Sequence, residues 1–294
     1  MTTATFETDR PVVLSIELGQ GAVHVIAGDR TDAVVAVNPS DRDRSEDVEA
    51  AEETAVDLAN GTLAIRVPKP RGIAGYLGWR RGGSVDVVVE LPERSSLRAE
   101  AGFADFRGDG RLDDVEVKAG AGNVRLDRTG AVRVRSGAGH VAVEDASGRA
   151  EIVAAGDMNL GAVSGDADIK NLNGKTWIGR VGGDVRVRSA NGDVTIEDAG
   201  GDVTVKTANG TVRLGQVIRG SVSIETASGG LEVGVREGTA AWIDATTKFG
   251  RVHNDLTPAD DPQASAETVE VRARTSFGDV LITRSSAADQ QGES

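Results

Sequence analysis

Between Gly183 and Val233 one short phrase recurs: GGDVRVRSANGDVTIEDA, then GGDVTVKTANGTVRLGQV, then GSVSIETASGGLEV. Asn191-Gly192 returns as Asn209-Gly210, and Gly183-Asp184 as Gly201-Asp202, each eighteen positions later. A fixed period this short means that one structural unit is stacked on itself.

The residue before the mid-repeat glycine serves as a reference for each tier. These residues are Phe103, Ala121, Ala138, Ala155, Asn173, Asn191, Asn209, Ser228, Phe249 and Phe277. Six and four residues before the reference, and three and five after it, the chain is apolar in nearly every tier; Val185, Val187, Val194 and Ile196 are one such set. The tier at Ala155 breaks register, and Ala150 and Ile152 substitute there across a one-residue deletion. Apolar residues at period two, on both sides of a glycine turn, define two half-buried strands per tier. Like strands of successive tiers stack in parallel. The fold expected is all-β: a two-sheet parallel β-solenoid of about ten tiers of roughly 18 residues, right-handed by the rule for parallel crossovers.

Composition agrees with thin layers. Glycine supplies 38 residues and aromatics only 3% of the chain, so the core must come from small branched side chains between closely spaced strands. Cysteine is absent, which excludes disulfides and thiolate chemistry. A net charge of −13 argues against general nucleic-acid binding. The start, MTTATFETDRP, lacks the basic-then-apolar pattern of a secretory signal, and no apolar run reaches the roughly 20 residues of a membrane span. A cytoplasmic location is the expectation.

Three regions follow: an N-terminal β cap at 1–96, the solenoid at 97–284, and a polar disordered tail at 285–294. Within the cap, residues 12–18 and 22–27 read as a hairpin around Gly19-Gln20-Gly21, and 34–37 as a third strand. The acidic stretch at 40–53 is a helical turn capped by Ser45 or a solvated loop. Asn60-Gly61 between two apolar runs signals a tight hairpin. Residues 68–83, PKPRGIAGYLGWRRGG, break all periodicity. Tyr76, Trp79, Arg80 and Arg81 there are either folded back on the body or form a contact loop, being residue types favoured at interface centres.

The G-D-V phrases, with TTKFGRVHNDL at 246–256 and RTSFGDVLIT at 274–283, resemble a bacterial β-strand-repeat family. The family carries a domain of unknown function, and its members are sometimes labelled candidate adhesins. The resemblance spans nearly the whole chain. It implies a repeat fold and an adhesin-like role, and it brings no catalytic residues.

The search for chemistry gives little. His24, His140 and His253 are far apart in sequence and match no ligand spacing. In the turns aspartate directly follows glycine, unlike the G-G-x-G-x-D spacing of calcium-binding repeats, so turn-forming aspartate is the better account. The outward carboxylates Asp168, Glu197, Glu225 and Glu232 form no evident acid–base pair. A non-enzymatic scaffold or interaction protein is expected, without cofactor or metal. A surface carbohydrate-active enzyme on a β-helix is the alternative.

Three surface features carry further expectations. Asn173, Asn191 and Asn209 share one column and should stack as an amide ladder, with Gly174, Gly192 and Gly210 behind them at positive φ. Trp177 should face outward, either covered by a loop or forming part of a contact surface. Outward columns place Lys118, Arg133, Arg135, Lys170, Arg186, Arg188 and Lys206 on one locally basic face. Either these side chains pair with carboxylates such as Asp168 and Glu225, or the face docks an anionic protein surface, glycan or lipid headgroup.

Overall fold

The structure, a computed structural model, describes residues 2–68, 82–256 and 267–285. It is an all-β solenoid, with one helix, Ser45–Glu52, among the described residues. The chain divides into two compact units, Met1–Asp145 and Ala146–Ser294.

In the first unit, parallel stacking is already in place before Leu97. Residues 12–28 do not fold as a hairpin: Val13–Gly28 is one sixteen-residue strand. Both of its halves pair in parallel with Ser96–Arg111, Leu14 opposite Leu97 and Val23 opposite Phe106. The glycines that suggested a reversal make a corner instead. Gly21 sits at φ 143°, and a Cβ there would lie 1.8 Å from the Val85 carbonyl oxygen. Ala55–Ala59 and Thr62–Arg66 do form an antiparallel hairpin, its turn set by Asn60 at φ 51° and Gly61 at φ 76°. Asp32–Pro39 runs antiparallel to both Thr2–Glu7 and Ser84–Pro92. The helix is uncapped by Ser45, whose hydroxyl turns to Glu46. It is tied down by buried Asp47, which accepts the Ser84 N–H at 2.9 Å. The tail at 286–294 lies outside the described residues.

The second unit shows the repeat plainly. The strands Ala167–Asn173, Val185–Asn191, Val203–Asn209 and Gly220–Ser228 stack in parallel, with Ile169, Val187, Val205 and Ile224 in one column. These four are at most 1% exposed. Across the one-residue deletion, Ala150 and Ile152 stand opposite Ala167 and Ile169. A further inward column escapes the apolar pattern because it is polar: Asn171, Ser189, Thr207, Thr226 and Thr275. Its members sit where the backbone turns, and Asn171, Thr207, Thr226 and Thr275 donate to turn carbonyls. Thr226 donates to the oxygens of Gly210 and Ser228, and Thr275 to that of Gly229. A buried carbonyl left without a donor costs about 1–3 kcal/mol, so a hydroxyl suits this position better than valine.

The last two tiers do not stack in chain order. Glu267–Phe277 lies between Gly220–Ser228 and Thr239–Phe249, and Val280–Ser285 between Leu231–Arg236 and Val252–Asn254. The tier that comes ninth in sequence is therefore outermost. Both phrases carry Phe-Gly at the corner.

At the corners of Gly174, Gly192, Gly210 and Gly229, a glycine at positive φ packs against the carbonyl of the glycine one tier below. Gly192 is at φ 121°, and a Cβ on it would lie 2.0 Å from the Gly174 oxygen. Gly19 has nothing within 4 Å of the same position. Gly192→Ala should therefore lower stability by about 1–3 kcal/mol, while Gly19→Ala stays near neutral, as read by denaturant unfolding. Equal stabilities would refute this account of the corner.

Candidate functional site

The turn aspartates come first, because they look like ligands and are otherwise employed. Asp184 Oδ1 accepts the Asp202 N–H at 3.0 Å, and Asp202 Oδ1 accepts that of Ser221 at 2.8 Å. At the opposite corner Asp193 accepts from Thr211 and Asp279 from Arg251. Each carboxylate thus binds a backbone N–H of the next tier outward. Among the described residues no group of three His, Asp or Glu side chains gathers that could hold a metal ion.

The four outward carboxylates are also engaged. Glu225 bridges Lys206 at 3.2 Å, Glu232 bridges Arg213 at 2.7 Å, and Asp168 lies 3.8 Å from Arg149. Glu197 accepts the Trp177 indole N–H at 3.1 Å. Trp177 does face outward, but it lies against its own sheet, its ring reaching over Gly179, and stays 37% exposed. The amide ladder is present: Asn191 donates to Asn173 at 2.9 Å and Asn209 to Asn191 at 3.0 Å.

The cationic columns resolve unevenly. Lys118 is held by Glu116 at 2.9 Å, and that hydrogen bond keeps the Glu116 carboxyl below its ordinary range. Arg133 and Arg135 stand in the same columns of the first unit, and neither is free of a partner. In the second unit Lys170, Arg188 and Lys206 lie side by side on three neighbouring strands, with Arg186 two residues from Arg188 on the same face. Lys206 is tied to Glu225. The exposed side chains of Lys170, Arg186 and Arg188 have no ion-pair partner among the described residues. Tyr76, Trp79, Arg80 and Arg81 lie outside the described residues.

One feature of the first unit was not legible in the sequence. A groove of about 590 Å³ crosses the outward face around His24, Arg107, Arg125 and His140. His24 Nε2 lies 2.7 Å from Asp109, which also accepts from Arg107 at 3.0 Å. Burial pushes the Asp109 carboxyl up, but the hydrogen bonds from His24 and Arg107 outweigh it and leave the group below the usual carboxylate range. These residues come from strands far apart in sequence, so no local motif announces them.

No helix among the described residues is long and apolar enough to cross a membrane. The profile of the Toastrack DUF4097 family matches residues 13–287. The chain belongs to that family. Among solved structures, this Toastrack chain resembles a candidate adhesin from Parabacteroides merdae ATCC 43184 at 10% identity, TM-score 0.44, over 96% of this chain and 95% of that one. A candidate adhesin from Bacteroides fragilis NCTC 9343 aligns at 12% identity, TM-score 0.37, over 96% of each chain. A candidate lipid-binding protein from Parabacteroides distasonis ATCC 8503 aligns at 12% identity, TM-score 0.31, again over 96% of each. No curated protein matches this Toastrack chain.

Releasing Lys206 should enlarge the free cationic cluster. Glu225→Gln is expected to elute later in salt from a sulfonated resin than Glu232→Gln, which removes the same charge beside Arg213. Equal elution would show that retention follows net charge alone, with no contribution from this face.

Proposed function

We propose that this Toastrack protein is a non-enzymatic scaffold whose second unit docks an anionic partner through Lys170, Arg186 and Arg188, in an adhesin-like interaction role. The supporting observation is electrostatic. Like charges on adjacent strands stand about 4.8 Å apart and repel by about 1 kcal/mol per pair even in water. Lys118, Lys206 and Arg213 relieve such repulsion by bridging a carboxylate. Lys170, Arg186 and Arg188 bridge none among the described residues, although Asp168 is the direct cross-strand neighbour of Arg186. A partner bearing carboxylates, sulfates or phosphates supplies what the fold withholds.

The carbohydrate-active alternative requires two carboxylates free to act as acid and base. Asp168, Glu197, Glu225 and Glu232 instead lie beside cations or accept an indole N–H, an arrangement suited to holding the surface.

The deciding experiment changes Lys170, Arg186 and Arg188 together to serine. Retention on heparin or a sulfonated matrix should fall sharply, and binding by the parent protein should weaken steeply as salt rises past the physiological range. Unchanged retention in a folded triple variant would sink the proposal.

A further inference from the structure

Because the final strands insert one tier inward, Thr239–Phe249 becomes the outermost strand of the second unit. Among the described residues it pairs on one side only, with Glu267–Phe277. The core beneath it is open. Ile243 and Ala245 are half-buried, while their partners Val271 and Ala273 are fully covered. On the other sheet Val252 is 43% exposed against 0% for Val280 beside it. Phe249 is 66% exposed and stacked on Phe277, with ring centroids 5.0 Å apart. An edge of this length, unpaired on one side among the described residues and carrying exposed apolar side chains, is a template for another strand.

The charges on the edge choose which strand. Along its outward face stand Trp242, Asp244, Thr246 and Lys248. Turned about a two-fold axis through Thr246, an identical strand places its Lys248 opposite Asp244 and its Asp244 opposite Lys248. Thr246 meets itself. A slip of two residues in either direction loses both charge pairs. Opposite charges directly across a ladder are favourable and like charges unfavourable, so the register is specified.

The polarity of the stack points the same way. Inner tiers present an aspartate that accepts the next tier's N–H, as Asp193 and Asp279 do. In the outermost tier that position is Arg251, which offers no side-chain acceptor to a further parallel tier. A two-fold contact needs none, and it closes after two copies.

We propose that the open side of Thr239–Phe249 is a self-association surface, where a second copy of this chain adds its own Thr239–Phe249 antiparallel about Thr246. The ends of the two cores then cover each other.

A charge exchange tests this on the full-length chain by sedimentation velocity over a concentration series. The parent protein should dimerise. Asp244→Lys alone sets lysine against lysine, and Lys248→Asp alone sets aspartate against aspartate. Each should raise the dimer dissociation constant at least about tenfold. Mixing the two variants restores both pairs and should restore the dimer. Asp244 also meets Arg274 at 3.2 Å, so if Asp244→Lys fails to fold, Lys248→Asp alone decides. A parent protein monomeric throughout, a folded single variant that dimerises like the parent, or a mixture of folded variants that stays monomeric would overturn the proposal.

Discussion

The close approach of backbone to backbone at the corners governs this molecule. Where Gly192 passes over the Gly174 carbonyl there is no room for a Cβ, and the same holds for Gly210 over Gly192 and Gly229 over Gly210. That contact keeps neighbouring tiers in register, which brings each inward valine or isoleucine onto its counterpart and each outward charge onto its neighbour. The high glycine content is thus a packing requirement, repeated once per tier. It also leaves little room for cavities within the stack, so recognition falls to outward faces and ends.

The middle tiers were legible in the sequence because local pattern and tertiary contact coincide there. A residue's strand partner is the residue eighteen positions on, so Val187 announces Val205 and Asn191 announces Asn209. Legibility fails where that coincidence fails. Val13–Gly28 was misread because Gly19 and Gly21 suit a reversal as well as a corner, and only the partner strand decides. The order of the last tiers was hidden for a related reason: TTKFGRVHN and RTSFGDVLIT share the Phe-Gly corner, and Arg251 in place of Asp279 and Asn254 in place of Ile282 mark an outer tier only once the stack is in view. The inward column of Thr207 and Thr226 was overlooked because a hydroxyl between apolar strands reads as surface until the turn carbonyls are in place.

The candidate site was half legible. Composition placed a row of cations on one face, and alternation put that row outside the core. Spacing could not show that Lys118 and Lys206 are bound to carboxylates while Lys170, Arg186 and Arg188 are not. That distinction depends on side-chain reach, Glu116 lying two residues from Lys118 and Glu225 one strand away from Lys206. The groove around His24 and Arg125 was beyond reach altogether, since it joins strands separated by about a hundred residues.

The inserted tier has a kinetic meaning. Through the middle of the second unit, contacts close loops of about eighteen residues, which is a small entropic cost. Gly220 pairs with Val269, closing a loop more than twice as long. Loop closure makes that contact slower to form than its neighbours. Chain synthesis also delivers Thr239–Phe249 before Glu267–Phe277, although the later segment must occupy the inner place. The repeat can assemble as it emerges, but the end of the stack is settled only when the last strands arrive.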